Sequence, residues 1–295
     1  MRMTAEIRAS NLAAIHDAAA RTLQARTQLE TGKRITRPSD DPAGMQQVLA
    51  HQATVAAMGS YERATSVVLL RQGILERVAD NLLTQLTDVR SATTGAIGSF
   101  RDGTAGARAA VAVSSLRDGI ASDLNTSVQG EYLFSGSAAT SPAYSREDGQ
   151  WVYGGDSAQV RVDMMPGRDT PISEVGSRVA QGAAADNVLN VLDALVTALN
   201  AGDSDEIVEL LPEIDAAIAR VIDLQNRLGV EQSAVAAAQQ RVSSDRATAL
   251  SNQAAIEEAD LVAAALALNQ SDTAYRAALQ ATGILTHTSL LDFLR

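Results

Sequence analysis

The feature that most constrains this chain is an unbroken seven-residue recurrence of apolar residues in its C-terminal half. Ile214, Val221, Leu228, Val235, Val242, Ala249 and Ile256 follow one another at intervals of seven. The companion positions Ala217, Leu224, Ala238, Ala259 and Leu266 are apolar too, while Glu231, Asp245 and Asn252 interrupt them. An α-helix turns once per 3.6 residues, so this spacing draws one continuous stripe along a single long helix. A helix over that span is on the order of 60–90 Å long. Its stripe must be covered by other helices, and the polar interruptions favour a specified antiparallel bundle over a free two-stranded coil.

The matching surface lies in the N-terminal half. Val68, Leu75, Leu82 and Val89 recur every seven residues, with Ala79 and Leu86 between them, in a helical region predicted from Pro42 to about Ser99. The loop Gly98–Gly106 breaks that pattern, and a third helix carries Val113, Leu116, Ile120 and Leu124. Helical spacing resumes at Val188, Leu189, Leu192, Leu195 and Leu199 and stops at Ala201-Gly202-Asp203. The acidic run that follows, Asp203 to Glu206, sits where a helix N-terminus is expected, so capping explains it more simply than a cation site. The first helix is predicted over Thr4–Leu29, with Ile7, Leu12, Ile15, Ala19 and Leu23 on one side. An alanine methyl contributes about 0.8 kcal/mol on burial, so this alanine-heavy stripe holds weakly to its own chain.

Composition sharpens the same picture. Hydrophobic residues make up 46% of the 295 positions but aromatic residues only 3%, which suits long helical seams and lacks the rings that anchor a compact globule. Most of those rings gather in one stretch: Tyr132, Phe134, Tyr144, Trp151 and Tyr153. Tyr132–Phe134, Trp151–Tyr153 and Gln159–Met164 read as strands among glycine turns. Rings beside glycines could present a carbohydrate face, but packing is the simpler use for so few of them.

Several functions find no support. A net charge of −11 argues against nucleic acid or an anionic membrane as partner. There is no cysteine, hence no disulfide framework. Glu6, Arg8 and Asp17 interrupt any secretory-type apolar run at the N-terminus, and no stretch is long and apolar enough to span a bilayer. Composition alone would place the chain in the cytoplasm. His16, His51 and His287 are scattered without ligand spacing. No glycine-rich phosphate loop or nucleophile elbow is present, so no catalytic, metal or cofactor-binding residues are assigned.

One loop carries more information than the periodicity. Thr31 to Pro42 reads TGKRITRPSDDP. Gly32 is placed to close the preceding helix in the left-handed C′ position. Lys33, the only lysine of the chain, joins Arg34 and Arg37 in a cationic cluster. Asp41 and Pro42 are suited to the N-cap and first position of the next helix, with Asp40 beside its positive end. Read alone, this is a capped helix–loop–helix joint.

The whole string resembles the N-terminal signature of the flagellin superfamily, and its RPSDDP ending resembles the hook–filament junction branch of that family. GEYLFSG at Gly130–Gly136 resembles the family's mid-chain segment, and SLLDFL at Ser289–Leu294 its assembly tail. The resemblance implies a mainly α fold: a long antiparallel helical rod formed by the N- and C-terminal segments, with a small inserted β-rich module. The corresponding divisions are 1–128 for one helical arm, 129–184 for the projecting module and 185–295 for the second arm. It implies a structural adaptor rather than an enzyme, needing no cofactor and exported without a cleaved signal to the extracellular flagellum. Its expected partners are the hook-associated junction protein on the hook side, flagellin on the filament side, copies of itself and an export chaperone. Lys33, Arg34, Arg37, Asp40 and Asp41 are the candidate joint or subunit contacts, and Leu290, Leu291, Phe293 and Leu294 the candidate assembly tail. A filament-forming flagellin shares the periodicity, and a coiled-coil signalling domain shares the heptads; both remain as alternatives.

Overall fold

The computed structural model of the protein describes residues 2–97, 104–181 and 187–293. The fold is mainly α, with short antiparallel hairpins inserted between helices. In chain order the elements are α1 (Arg2–Thr31), α2 (Pro42–Ile97) and α3 (Ala105–Leu124), then β1 (Ser127–Val128), β2 (Glu131–Tyr132), β3 (Tyr144–Glu147), β4 (Gln150–Tyr153), β5 (Arg161–Met165) and β6 (Arg168–Pro171), then α4 (Gly176–Ala180), α5 (Val188–Ala201), α6 (Ser204–Glu257) and α7 (Leu261–Phe293). Positions 98–103 of the expected interhelical loop lie outside the described residues. Backbone contacts divide the chain into two units, Met1–Ala57 with Asp245–Arg295, and Met58–Ser244.

In the unit 58–244 the heptads do what their spacing requires. Along α2, Thr65, Val68, Gln72, Leu75, Ala79, Leu82, Leu86, Val89, Thr93 and Ala96 are all buried, at steps that alternate between three and four. Ile214, Ala217, Val221, Leu224 and Leu228 of α6 join the same core cluster as Leu75 to Val89. Cross-links fix the sense of the pair: Gln72 reaches Glu231, Gln232 reaches Glu76, Gln225 reaches Asp80 and Arg90 reaches Asp215. As one helix ascends the other descends, so the packing is antiparallel. Helix α3 packs on α5, and Val113, Ile120, Leu189, Leu192 and Leu195 extend the core. Helix α5 is capped at both ends, by the Asn187 side chain accepting from Asn190 N–H at 3.0 Å and by Gly202 in the left-handed region.

The β region departs from expectation. Six strands pair as three separate hairpins, β1–β2, β3–β4 and β5–β6, where the sequence indicated three strands. YSRE and RDTP, which form β3 and β6, carry no apolar alternation. They become strands because tight turns return the chain beside a partner, as at Asp148 (φ 50°) and Gly149 (φ 85°) between β3 and β4. Of the expected Tyr132–Phe134 strand only Tyr132 is paired. Phe134 is instead fully buried, and its carbonyl accepts from Gly176 N–H at 2.8 Å. The rings pack inward: Tyr144 and Tyr153 lie 5.3 Å apart at 48°, and Arg146 lies over the Trp151 ring. Gly136, closing GEYLFSG, has φ +69°, and a Cβ there would stand 2.6 Å from the Ala158 carbonyl oxygen. Only glycine fits that position.

In the unit 1–57 with 245–295, α1 packs along α7. The seam differs from the expected stripe. Ala18, Ala25 and Ala264 are buried, whereas Leu12 and Leu23 remain 54% and 63% exposed. Ile15 and Ala19 are half-buried, and the Ile7 side chain lies outside the described part. Methyl-sized side chains let two helices approach closely, so the alanine face meets α7. Leu12 and Leu23, eleven residues apart and therefore on one side of the helix, are left facing outward.

Candidate functional site

The loop from Thr31 to Pro42 is built from three local devices. Helix α1 ends where Gly32 takes φ +69° and its N–H donates to the Gln28 carbonyl at 2.9 Å. A β-turn then runs from Arg37 to Asp40, with Pro38 at its second position and Asp40 N–H donating to the Arg37 carbonyl at 3.0 Å. Helix α2 opens on Asp41, whose Oδ1 accepts from Gly44 N–H at 2.9 Å while its carbonyl accepts from Met45 N–H at 2.8 Å.

Asp40 also bonds within the joint. Its Oδ2 accepts from Thr36 N–H, the Thr36 hydroxyl and Arg37 N–H at 3.0, 3.0 and 2.9 Å. It therefore ties down the loop that leads into α2. Those bonds from Thr36 and then Arg37 hold the Asp40 carboxyl below its ordinary value. The Gly44 N–H, assisted by Arg34, does the same for Asp41 against a small opposing effect of burial.

The cationic cluster is divided by direction. Lys33 Nζ pairs with Glu257 at 2.5 Å, and Arg34 N–H donates to the Glu257 carbonyl at 2.7 Å. Arg34 also reaches the Ile256 carbonyl at 3.0 Å and Asp41 at 3.3 Å. Arg34 thus neutralises two ends at once, the carbonyls that close α6 and the carboxylate that opens α2. Burial alone would raise the Glu257 carboxyl, but hydrogen bonds from Lys33 and Gln253 and the Lys33 charge outweigh it and leave the value lowered. Ala259 N–H returns a bond to the Gly32 carbonyl at 2.9 Å. Arg37 gives the network its backbone N–H and carbonyl, and its charge also lowers the Asp40 carboxyl; it lines a groove of ≈ 230 Å³ with Leu23, Arg34 and Thr36.

The result is a clasp on four helix ends: the close of α1, the start of α2, the close of α6 and the start of α7. Three of its members were not singled out in the sequence. Ile35 is 1% exposed, an isolated apolar residue in a charged loop. Glu257 supplies the counter-charge to Lys33. Asp260 caps α7 by accepting from Val262 and Ala263 N–H at 2.9 and 3.1 Å; its signal was an aspartate immediately before an apolar helix. The clasp contains no nucleophile–base pair, and its chemistry is that of charge pairing and backbone capping. Leu290, Leu291 and Phe293 fall within α7, with their side chains outside the described part, and Leu294 lies outside the described residues. Among the described residues no group of histidines and carboxylates is gathered as a metal would need, and no helix is long and apolar enough to cross a membrane.

The loop and the helices on either side of it are similar to a recognised helical region. Residues 4–139 match the bacterial flagellin N-terminal helical region. The flagellin-superfamily resemblance carried by TGKRITRPSDDP and GEYLFSG therefore holds. A curated relative, flagellar hook-associated protein 3 of Escherichia coli (strain K12), is 24% identical over 208 residues, which span 66% of this chain and 65% of the relative. The match thus covers slightly under two thirds of that relative's length. Among solved structures, a Vibrio parahaemolyticus protein described as flagellar hook-associated aligns with a TM-score of 0.69 at 21% identity, covering 74% of this chain and 99% of that one. FlgL of Xanthomonas campestris aligns at 0.62 and 14% identity, covering 69% and 99%. The flagellar junction protein FlgL of Legionella pneumophila aligns at 0.56 and 16%, covering 73% and 100%. At these identities the likeness is one of fold.

Proposed function

We propose that this chain is a structural adaptor of the bacterial flagellum, joining the hook-associated region to the flagellin filament. The observation that carries the reading is the flagellin-type arm combined with a fold shared by solved junction proteins. The clasp adds a physical reason: it fixes the ends of four helices by charge and caps, which suits a scaffold and leaves nothing for catalysis. In this reading 1–128 and 185–295 are the helical arms and 129–184 is the projecting module. The hook-side junction protein, flagellin and further copies of the chain are its partners, and an export chaperone receives the tail Leu290–Leu294. Arg37 and the rest of the clasp, with Lys33, Arg34, Asp40 and Asp41, then lie at or beside subunit contacts.

Assembly by coupled folding follows from the seam. The pairing of α1 with α7 buries alanines and leaves Leu12, Leu23, Leu261, Val262, Leu266 and Leu279 exposed. A monomer gains little from such a pairing, whereas neighbours that cover those leucines supply the missing apolar burial. The match to the flagellin N-terminal region also favours a second reading, a filament subunit. Immunogold electron microscopy of intact flagella with an antibody against 129–184 separates the two. A band confined to the hook–filament boundary is the expected result; label along the filament would make the chain a flagellin, and unlabelled flagella would remove both readings.

A further inference from the structure

We propose that the groove between α4 and α6 is an oxyanion-binding site, taking a carboxylate or a phosphate group between Arg178 and Arg220. The groove measures ≈ 570 Å³ and is lined by Arg178, Ala219, Arg220, Asp223 and Arg227. Arg220, Asp223 and Arg227 are spaced by three and four residues, which sets all three on one face of α6. Arg178 comes from α4, so cations enter the groove from two elements. In a chain of net charge −11, a groove bearing three guanidiniums is a local reversal of sign.

The charges are unevenly matched. Two carboxylates are present, Asp223 in the groove and buried Glu174 behind it. Both are engaged by Arg227, at 3.3 and 3.2 Å. Arg178 and Arg220 form no ion pair among the described residues. Arg220 is half-buried and spends only its Nε, which donates to the Val179 carbonyl at 3.1 Å. Burial pushes its guanidinium down from the ordinary value, and the charges of Glu213 and Tyr144 offset that only in part. Close by, the Tyr144 hydroxyl is buried without a hydrogen-bond partner, within the electrostatic reach of Arg220. A half-buried guanidinium with unused N–H groups leaves desolvation only partly compensated, and a planar oxyanion is the ligand whose geometry matches that fork.

The test uses the full chain and two probes, inorganic phosphate and acetate, each against chloride at equal ionic strength. An anion that binds only the folded state raises its melting temperature in a saturable way. Phosphate or acetate is expected to raise it above the chloride control, and whichever saturates names the oxyanion class. Arg220→Gln should abolish the rise. Arg178→Gln, at an exposed position that the fold does not need, should increase the half-saturating concentration about tenfold, as for loss of a charge-assisted hydrogen bond. If neither anion exceeds chloride, or if Arg178→Gln keeps the wild-type half-saturation, the site does not exist. The result is independent of where on a flagellum the protein resides.

Discussion

The two units bury opposite kinds of seam. Between α2 and α6 the buried positions follow strict three–four spacing and include many leucines, isoleucines and valines, and α3, α5 and the aromatic hairpins close over them. Between α1 and α7 the buried positions are small, Ala18, Ala25, Ala264 and Ser271, and several large side chains, Leu12 and Leu23 among them, point away. Since apolar area sets the gain on burial, the first seam stabilises the chain that makes it. The second gains much less and relies on the clasp of charges and caps at Lys33–Asp41 and Ile256–Asp260. One chain thus holds a self-sufficient body and a second unit whose helices keep their apolar surface available.

The largest expected effect tests the body. Leu82→Ala, at 1% exposure, should cost about 3–5 kcal/mol in denaturant unfolding followed through the single tryptophan, Trp151. A cost near that of an exposed leucine would break the comparison. The reverse substitution tests the alanine seam: Ala25→Leu should destabilise the α1–α7 pairing by about 1–3 kcal/mol, read as loss of helix signal at lower temperature. If the larger side chain stabilised it, the seam would be underfilled and not close-packed.

A smaller effect belongs to the clasp. Asp41→Ala should cost about 1 kcal/mol by leaving the Gly44 N–H without its cap, seen as faster exchange of that amide and unchanged exchange at Val89. Smallest in the isolated chain is Leu23→Ala, which should stay within about 0.5 kcal/mol yet slow assembly measured by light scattering. Equal assembly rates would remove the outward leucines from the argument.

Acid separates the units by sign. Asp40, Asp41 and Glu257 lie below their ordinary values of 3.8, 3.8 and 4.5. Their contribution is therefore complete at neutral pH and is lost as the pH falls below about 4. Glu231 runs the other way, since burial and the neighbouring Glu174 carboxylate raise it. Its ionised form is a cost that protonation removes, so the α2–α6 seam gains as the pH falls through that raised value from neutral. The amide shift of Gly44 should follow the first change and that of Glu231 the second; a common midpoint would erase the distinction.

Much of this was legible beforehand. The seven-residue spacing located both sides of the body's seam, because period and burial are the same fact in a long helix. Gly32, Asp41 and Pro42 gave the ends of α1 and α2, because capping is local chemistry. The hairpins YSRE and RDTP were not legible, since their strand character comes from pairing partners across a turn. Nor was Glu257, whose role depends on Lys33 lying 224 residues away.

The sequence by itself determined the long helices, the close of α1 and the start of α2, and that α2 and α6 share a heptad seam, because those outcomes depend on neighbours within a few turns. Only the tertiary structure decided that small residues and not leucines join α1 to α7, that Glu257 answers Lys33, and that Arg178 and Arg220 meet across one groove. Each of those depends on which face of an element meets a distant partner, and close approach, desolvation and charge compensation act between residues that the order of the chain keeps apart.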